Sequence, residues 1–184
     1  MPRLFTALEI PSSIALQVAM LQNGLPGARW IDRENLHITI RFMGDVEPLV
    51  AREIAYELEQ FKTKPFSLEL GNLDVFGHSK PHSLYASVKN SQSLFELQAS
   101  QERLCQRLGL EADSRKFTPH LTIARVRGIK AIKIARYLSV HGYFKPPVFD
   151  VSRFMLLSSR SSTGGGPYRL EESYQFSQQE TANV

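Results

Sequence analysis

Hydrophobic and polar residues alternate along several short stretches of the chain, and this alternation predicts β-strands. The stretches are residues 3–10, 36–42, 66–76, 83–88, 120–126, 149–158 and 168–176. Apolar residues recur at helical spacing elsewhere, and the helices predicted from them are residues 11–23, 48–61, 91–108 and 129–140. Because strands pair off between helices without regular strand–helix alternation, we expect an α+β fold with largely antiparallel sheets and helices outside.

The helix predicted over residues 91–108 has the clearest apolar stripe. The stripe consists of Leu94, Leu97, Leu104 and Leu108. These positions share one face of a helix, which Gly109 then ends. Cys105 lies beside the stripe, and we interpret it as a core residue. It is the single cysteine of the chain, so we expect no internal disulfide and no cysteine-based zinc cluster.

One alternating pattern occurs twice, as His37-Ile38-Thr39-Ile40 and as His120-Leu121-Thr122-Ile123. Side chains of a strand point alternately to its two faces, so the histidine and the threonine share one face and the apolar residues share the other. A turn and a predicted helix follow each copy. We therefore expect two pseudo-symmetric lobes that bring both histidines face to face across a central cleft. Residues 1–184 would form one bilobal domain with a flexible tail from about residue 178.

Two histidines facing one cleft suit acid–base chemistry on a phosphodiester. The unperturbed pKa of histidine is near physiological pH, so a neutral ring can take a proton from water while a protonated ring gives one to the leaving oxygen. The hydroxyls of Thr39 and Thr122 can donate to phosphoryl oxygens, where negative charge develops. Arg41 has the parity of His37 and Thr39, and we expect it to add positive charge on the same face.

Two alternative interpretations of the motifs remain. A single His-x-Thr-x pattern in a strand usually has a structural role, but two copies among only five histidines favour a functional one. A zinc site is the other functional possibility. Neither His37 nor His120 has a second histidine or cysteine at the usual ligand spacing, so we expect neither a metal nor another cofactor.

The composition adds little to this picture. The chain has 184 residues, of which 42% are hydrophobic, enough for a real core. No apolar run approaches the ~20 residues that span a bilayer, and residues 1–5 do not resemble the start of a signal peptide. With one cysteine, these features predict a cytoplasmic protein. A net charge of +4 and a pI of about 9.3 favour an anionic partner only weakly.

Other candidate residues have simpler interpretations. His78 and His82 lie in a predicted surface loop, and His141 lies at a helix end, where a histidine suits the helix dipole. The glycines at residues 164–166 are interpreted as a hairpin loop, since no lysine or helix follows as in a P-loop. We expect Tyr168 to pack in the core or at its rim, with stacking on a nucleobase as the alternative.

The two motifs and their flanks resemble the 2H phosphoesterase superfamily, which is named for its two His-x-Thr/Ser-x motifs. Residues 3–8 resemble the opening strand of the family, and residues 30–44 and 117–125 resemble its two motif blocks. Residues 154–159 and 166–168 resemble its closing hairpin. The resemblance covers nearly the whole chain in order. It is strongest to the bacterial and archaeal RNA 2′,3′-cyclic phosphodiesterases, also called 2′-5′ RNA ligases.

The resemblance implies a metal-free hydrolysis of a terminal 2′,3′-cyclic phosphate to a 2′-phosphomonoester. By analogy, His37 is the proton donor to the leaving 3′-oxygen, and His120 is the proton acceptor that activates water. By the same analogy, Thr39 and Thr122 would bind the phosphate. The resemblance also implies that the same pair of histidines joins a 2′,3′-cyclic end to a 5′-hydroxyl without ATP, giving a 2′-5′ linkage.

The resemblance also implies further substrate-binding residues and partners. Arg125 and Arg127 have the opposite parity to His120, so on a regular strand they face away from the cleft unless a bulge or the strand end turns them. The family analogy nevertheless makes both candidate phosphate contacts, and Tyr168 a candidate substrate contact. We expect RNA with cyclic phosphate ends or cyclic nucleotides as partners, no membrane, and a monomer. The alternatives are phosphodiesterase activity on 2′-5′ oligoadenylates or on small cyclic nucleotides, and binding of nucleotides or RNA without turnover.

Overall fold

The computed structural model describes residues 1–77, 79–159 and 166–177. Within these residues the strands are β1 (Arg3–Glu9), β2 (Arg29–Trp30), β3 (His37–Asp45), β4 (Phe66–Leu68), β5 (Leu70–Phe76), β6 (Ser83–Val88), β7 (His120–Arg125), β8 (Phe149–Val151), β9 (Arg153–Ser159) and β10 (Tyr168–Gln175). The helices are α1 (Ser12–Leu21), α2 (Pro48–Glu59), α3 (Gln92–Arg107) and α4 (Ala131–His141). All strand pairings are antiparallel, which confirms the expected α+β class. His78, the loop glycines 164 and 165, and the tail from residue 178 lie outside the described residues.

Two predicted strands are each divided in the structure. Residues 66–76 form β4 and β5, and residues 149–158 form β8 and β9. β4 and β8 pair with each other as a separate two-stranded sheet, whereas β5 and β9 belong to the main sheet. Across the first division the alternation continues from Leu68 to Leu70, so the period of the sequence could not locate that change of partner. Across the second division the alternation shifts, because Ser152 and Arg153 separate Val151 from Phe154.

The main sheet consists of two halves that meet at β3 and β7. The first half has the strand order β10-β9-β1-β3, and the second has the order β7-β6-β5 with β2 also beside β7. One residue pair, Ile38 and Leu121, bridges β3 and β7. Both side chains are completely buried. The two motif strands are therefore neighbours at the centre of the sheet.

All four helices contribute to one hydrophobic core with the apolar sides of the motif strands. Ile14, Ile54, Leu94 and Ile134, one from each helix, belong to the same cluster as Ile38. A helix follows each motif strand, as the sequence predicted: α2 comes after β3 and α4 after β7. Of the helices in the described ranges, none is long and apolar enough to cross a membrane.

The apolar stripe of α3 faces the core as predicted. Leu94, Leu97 and Leu104 are buried, and Gly109 follows the helix with a φ of 86°. Such a left-handed residue is the usual way for a helix to end, and glycine adopts it without strain. Cys105 is completely buried beside the stripe. Burial raises the pKa of its thiol to about 11, which is consistent with a packing role.

A β-bulge in β3 changes the direction of the residues that follow the first motif. In the pairing with β1, Ala7 is opposite Thr39 and Thr6 is opposite Arg41, so Ile40 has no partner of its own. The extra residue reverses the alternation from that point. Ile40 and Arg41 are consequently both buried, although they are consecutive.

The expectation that Arg41 shares the face of His37 and Thr39 is therefore wrong. Its side chain is 5% exposed and lies 2.5 Å, from Nε to Oε2, from Glu102 on α3. One terminal nitrogen also donates to the Glu111 carbonyl at 2.6 Å. Arg41 thus connects β3 to α3 and the segment after it.

Replacing Arg41 should destabilise the fold, because it would leave the largely buried Glu102 carboxylate without its partner. We expect Arg41→Ala to lower the free energy of unfolding by about 3–5 kcal/mol, measured by urea denaturation. Arg52→Ala removes an exposed arginine of α2 and is the matched control, with a change within about 0.5 kcal/mol. Equal, small losses in the two variants would contradict the structural role of the ion pair.

Candidate active site

A cleft opens on the sheet where β3 meets β7. Its cavity has a volume of about 280 Å³. It is lined by Arg3, Phe5, Ile31, Asn35, His37, Thr39, Phe42, His120, Thr122, Arg125, Ser159 and Tyr168. Both histidines and both threonines of the repeated motif are in this lining. Arg41 and Arg127 are not, and Arg41 instead lines a separate cavity of about 490 Å³.

The register of β3 and β7 places the two motifs in reciprocal positions. The strands are antiparallel at Ile38 and Leu121. When that register is continued by one residue in each direction, His37 is opposite Thr122 and His120 is opposite Thr39. Each histidine thus faces the threonine of the other motif, so neither motif forms the site alone.

A backbone carbonyl orients each imidazole. Nδ1 of His37 donates to the Asn35 carbonyl at 2.8 Å, and Nδ1 of His120 donates to the Thr118 carbonyl at 2.7 Å. A carbonyl oxygen can only accept, so Nδ1 carries the hydrogen in both rings. The neutral rings therefore have their lone pair on Nε2, which leaves Nε2 as the atom for proton exchange.

Aromatic side chains hold both rings from the side. The His37 ring centroid lies 5.2 Å from that of Phe5 and 5.0 Å from that of Tyr168. The His120 ring lies 4.8 Å from Phe76 and 5.4 Å from Tyr85. The two imidazoles are therefore packed in similar ways in the two halves of the sheet. Of these four aromatic residues the sequence singled out only Tyr168, because the others depend on the order of strands.

Burial and positive charge lower the pKa of both histidines. For His37 the largest cause is burial, and the charges of His120 and Arg125 lower the pKa further while the hydrogen bond to Asn35 opposes them. For His120 burial again dominates, with Arg125 acting in the same direction and the hydrogen bond to Thr118 opposing. Both rings are therefore mainly neutral at neutral pH in the free protein, and an anion in the cleft would favour their protonation.

Arg125 reaches the cleft because β7 has the same bulge as β3. In the pairing with β6, Tyr85 is opposite Thr122 and Leu84 is opposite Ala124, so Ile123 is the extra residue. The reversed alternation turns Arg125 to the side of the histidine. Its guanidinium donates to the Ser83 hydroxyl at 2.6 Å. On a regular strand Arg125 would face away from the cleft, and the bulge considered as the exception is present.

Arg127 lies beyond the end of β7, is exposed, and does not line the cleft. Its expected contact with a bound phosphate is therefore not supported by its position. Phe42, which corresponds to Arg125 in the first motif strand, does line the cleft, and the guanidinium carbon of Arg3 lies 5.9 Å from its ring centre. Because of the bulges, Arg125 faces the cleft and Arg41 does not, which is the opposite of what regular alternation predicts.

Asn35 and Arg3 are cleft residues that sequence reasoning missed. The Asn35 side chain is largely buried, and its Oδ1 accepts from the Tyr168 backbone amide at 3.4 Å. Through its carbonyl the same residue orients His37. Its position just before the first motif was the available signal, but the contact with β10 appears only in the folded chain.

Two further histidines in the described part of the chain, His82 and His141, do not line the cleft. His82 is exposed beside Phe76, and His141 ends α4 with its ring 4.6 Å from that of Tyr137. Within the described ranges, no group of three or more histidine, cysteine or carboxylate side chains is placed to hold a metal ion. That the reaction needs no metal stays a prediction.

The sequence profile of the 2′-5′ RNA ligase superfamily matches residues 10–163 of the chain. A protein of Methanocaldococcus jannaschii named RNA 2′,3′-cyclic phosphodiesterase is 32% identical over 133 residues, which cover 69% of this chain and 73% of that protein. A protein of the same name from Aeropyrum pernix is 27% identical, over 84% of this chain and 89% of its own length. The chain spans only 34% of a third, from Geobacillus stearothermophilus, at 37% identity.

Solved structures share the fold over almost the whole chain. A structure described as a phosphoesterase superposes with a TM-score of 0.80 at 21% identity, covering 96% of this chain and 99% of the other. E. coli LigT complexed with 3′-AMP superposes with a TM-score of 0.77 at 21% identity, covering 97% of this chain and all of LigT.

Removing the charge of Arg125 should raise the pKa of both cleft histidines, since that charge lowers both. We expect Arg125→Gln to shift the titration of His37 and His120 to higher pH, as followed by NMR of the ring Cε1 protons. Arg127→Gln removes a nearby charge outside the cleft and should leave both titrations in place. Unchanged titrations in Arg125→Gln would contradict the electrostatic coupling.

Proposed function

Because the chain belongs to the 2′-5′ RNA ligase superfamily, we propose that it hydrolyses terminal 2′,3′-cyclic phosphates of RNA to 2′-phosphomonoesters, with His37 and His120 as acid and base. Its relatives named above are RNA 2′,3′-cyclic phosphodiesterases, and the chain is an enzyme of this phosphodiesterase class. The observation that carries the proposed mechanism is the pair of imidazoles in one cleft, each held through Nδ1 by a backbone carbonyl.

In the proposed reaction a water oxygen attacks phosphorus while the bond from phosphorus to the 3′-oxygen breaks. Nε2 of His120 takes a proton from the water, and Nε2 of His37 gives a proton to the departing 3′-oxygen. Both nitrogens suit these roles because the Nδ1 atoms are already occupied by carbonyls. Proton exchange with solvent then restores both rings. The assignment of His37 as the donor follows the family resemblance.

The remaining groups of the cleft stabilise the phosphate. The hydroxyls of Thr39 and Thr122 donate to non-bridging oxygens, on which charge develops during attack. Arg125 adds a positive charge, and its fork of five N–H donors has donors left beside the one used by Ser83. The charge of the bound phosphate raises the pKa of the neighbouring His37, which supplies the protonated ring that an acid needs. We place the terminal nucleoside against Tyr168.

The same groups support ligation. A 5′-hydroxyl that replaces water as the attacking group would give a 2′-5′ linkage with no nucleotide cofactor, because the cyclic phosphate itself supplies the bond that breaks. We further propose that the protein acts as a monomer in the cytoplasm.

Loss of either histidine should abolish most of the activity. We expect His37→Ala and His120→Ala each to lower kcat on a 2′,3′-cyclic nucleotide by about 10²–10⁴-fold, measured in excess EDTA. The wild-type rate should be bell-shaped against pH, and each variant should lose one limb. His141→Ala removes a histidine outside the cleft and is the matched control. Full activity of either cleft variant would refute the mechanism, and a 3′-phosphate product would reverse the leaving-group assignment.

We expect opposite effects on activity when the arginines of the two bulged strands, Arg125 and Arg41, are replaced. A charge-assisted hydrogen bond contributes about 1.5–3 kcal/mol, so Arg125→Gln should lower kcat/KM by about 10–100-fold. Arg41→Gln should leave kcat/KM of the folded fraction close to wild type, because Arg41 faces α3. Assays at a temperature where both variants are folded test this, and a larger loss for Arg41→Gln would overturn the assignment.

A further inference from the structure

The positive charge of the chain is concentrated in one segment. Between Asp113 and Asp150 the sequence has no aspartate or glutamate but contains eight of the 22 lysines and arginines. The rest of the chain contains the other 14 basic residues and all 18 acidic residues. The net positive charge of the protein therefore comes entirely from this segment, which includes β7 and α4.

Four of these cations form an exposed set that we call the basic ridge. It consists of Arg127, Lys130, Lys133 and Arg136. All four are exposed, and no ion pair of the described residues includes any of them. Lys130 is the residue just before α4, and Lys133 and Arg136 lie three residues apart on α4, so these two are neighbours on one side of the helix.

The helix itself gains nothing electrostatically from these cations. α4 has no acidic residue in its first turn, and its sequence contains none at all. Lys130 and Lys133 lie at its N-terminal end, where the helix dipole disfavours positive charge, and like charges at this spacing repel each other. A bound polyanion would relieve both effects.

The basic ridge begins at the edge of the cleft. Arg125 lines the cleft at the end of β7, and Arg127 follows it after one residue. The chain then turns at Gly128 and enters α4. A groove of about 280 Å³ runs beside the ridge and is lined by Gly24, Leu25, Pro26, Lys133, Arg136, Tyr137, Val140 and His141.

Cations in the first half of the sheet are neutralised instead. Arg3 pairs with Asp45, Arg153 with Glu9, and Arg169 with Glu171. The charge of the surface is therefore asymmetric about the cleft. A flexible polyanion that leaves the cleft meets paired charges on one side and the cations of the basic ridge on the other.

We propose that the basic ridge binds the backbone phosphates of the RNA chain whose cyclic end occupies the cleft. This rests on the proposed function and adds the body of the substrate to it. The cleft is small for a ligand site, so it holds the terminal nucleotide and leaves the rest of the strand outside. The basic ridge contributes affinity for RNA of any sequence, because its lysine and arginine side chains contact phosphates and not bases.

The test compares a long and a short substrate. The ridge variant is Arg127→Gln, Lys130→Gln, Lys133→Gln and Arg136→Gln combined. The control variant is Arg52→Gln, Lys62→Gln, Lys64→Gln and Arg103→Gln, which removes four exposed cations elsewhere. The substrates are a single-stranded RNA dodecamer with a 2′,3′-cyclic end and a 2′,3′-cyclic mononucleotide.

The ridge variant should lose at least about tenfold in kcat/KM on the RNA at low salt. The slope of log kcat/KM against log salt should fall by up to about 3, at about 0.7 for each phosphate that the variant no longer neutralises. Its kcat/KM on the mononucleotide should match the wild type, which also shows that it is folded. The control variant should keep the wild-type slope.

If the ridge variant has the wild-type kcat/KM on RNA, or if the control variant loses as much kcat/KM, the proposed role of the basic ridge is wrong. The proposed activity is not affected by that result. If the protein turns over no cyclic phosphate, the proposed function fails. The affinity of the ridge and control variants for the same RNA, measured by fluorescence anisotropy, then still tests whether the basic ridge binds RNA. Unchanged RNA binding together with weaker binding to phosphatidylserine vesicles would assign the ridge to a membrane surface and overturn the proposal.

Discussion

The antiparallel contact between β3 and β7 is the interaction on which the site depends. It is made by Ile38 and Leu121, which are completely buried in the core beneath both halves of the sheet. Each motif supplies one imidazole and one hydroxyl, and the register at this pair places them across from each other. The driving force is the burial of apolar surface, but its consequence is the alignment of polar groups on the opposite face.

The matched bulges are the second constraint. Without them, regular alternation would direct Arg41 into the cleft and Arg125 away from it. With one extra residue after each threonine, Arg41 is directed to Glu102 on α3, and Arg125 joins the cleft. A local change in backbone register thus decides which arginine stabilises the fold and which one faces the histidines.

Positive charge is present both in the cleft and on the surface beside it. Burial and Arg125 disfavour protonation of His37 and His120 in the free protein. An anionic ligand supplies the compensating charge, so binding and protonation are coupled. The cations of the basic ridge extend that positive field away from the cleft, whereas Arg3, Arg153 and Arg169 of the first half are paired with carboxylates.

The sequence by itself determined the features that depend on local periodicity. The helices, most strands, the core position of Cys105, and the shared face of His37 with Thr39 and of His120 with Thr122 all follow from spacings of two or of three and four residues. Only the tertiary structure decided the order of the strands, the division of residues 66–76 between two sheets, the aromatic neighbours of the histidines, and the directions of Arg41 and Arg125. These depend on which strand lies alongside and where its register slips, and such pairings are set by packing between segments distant in the chain, which a period within one segment does not encode.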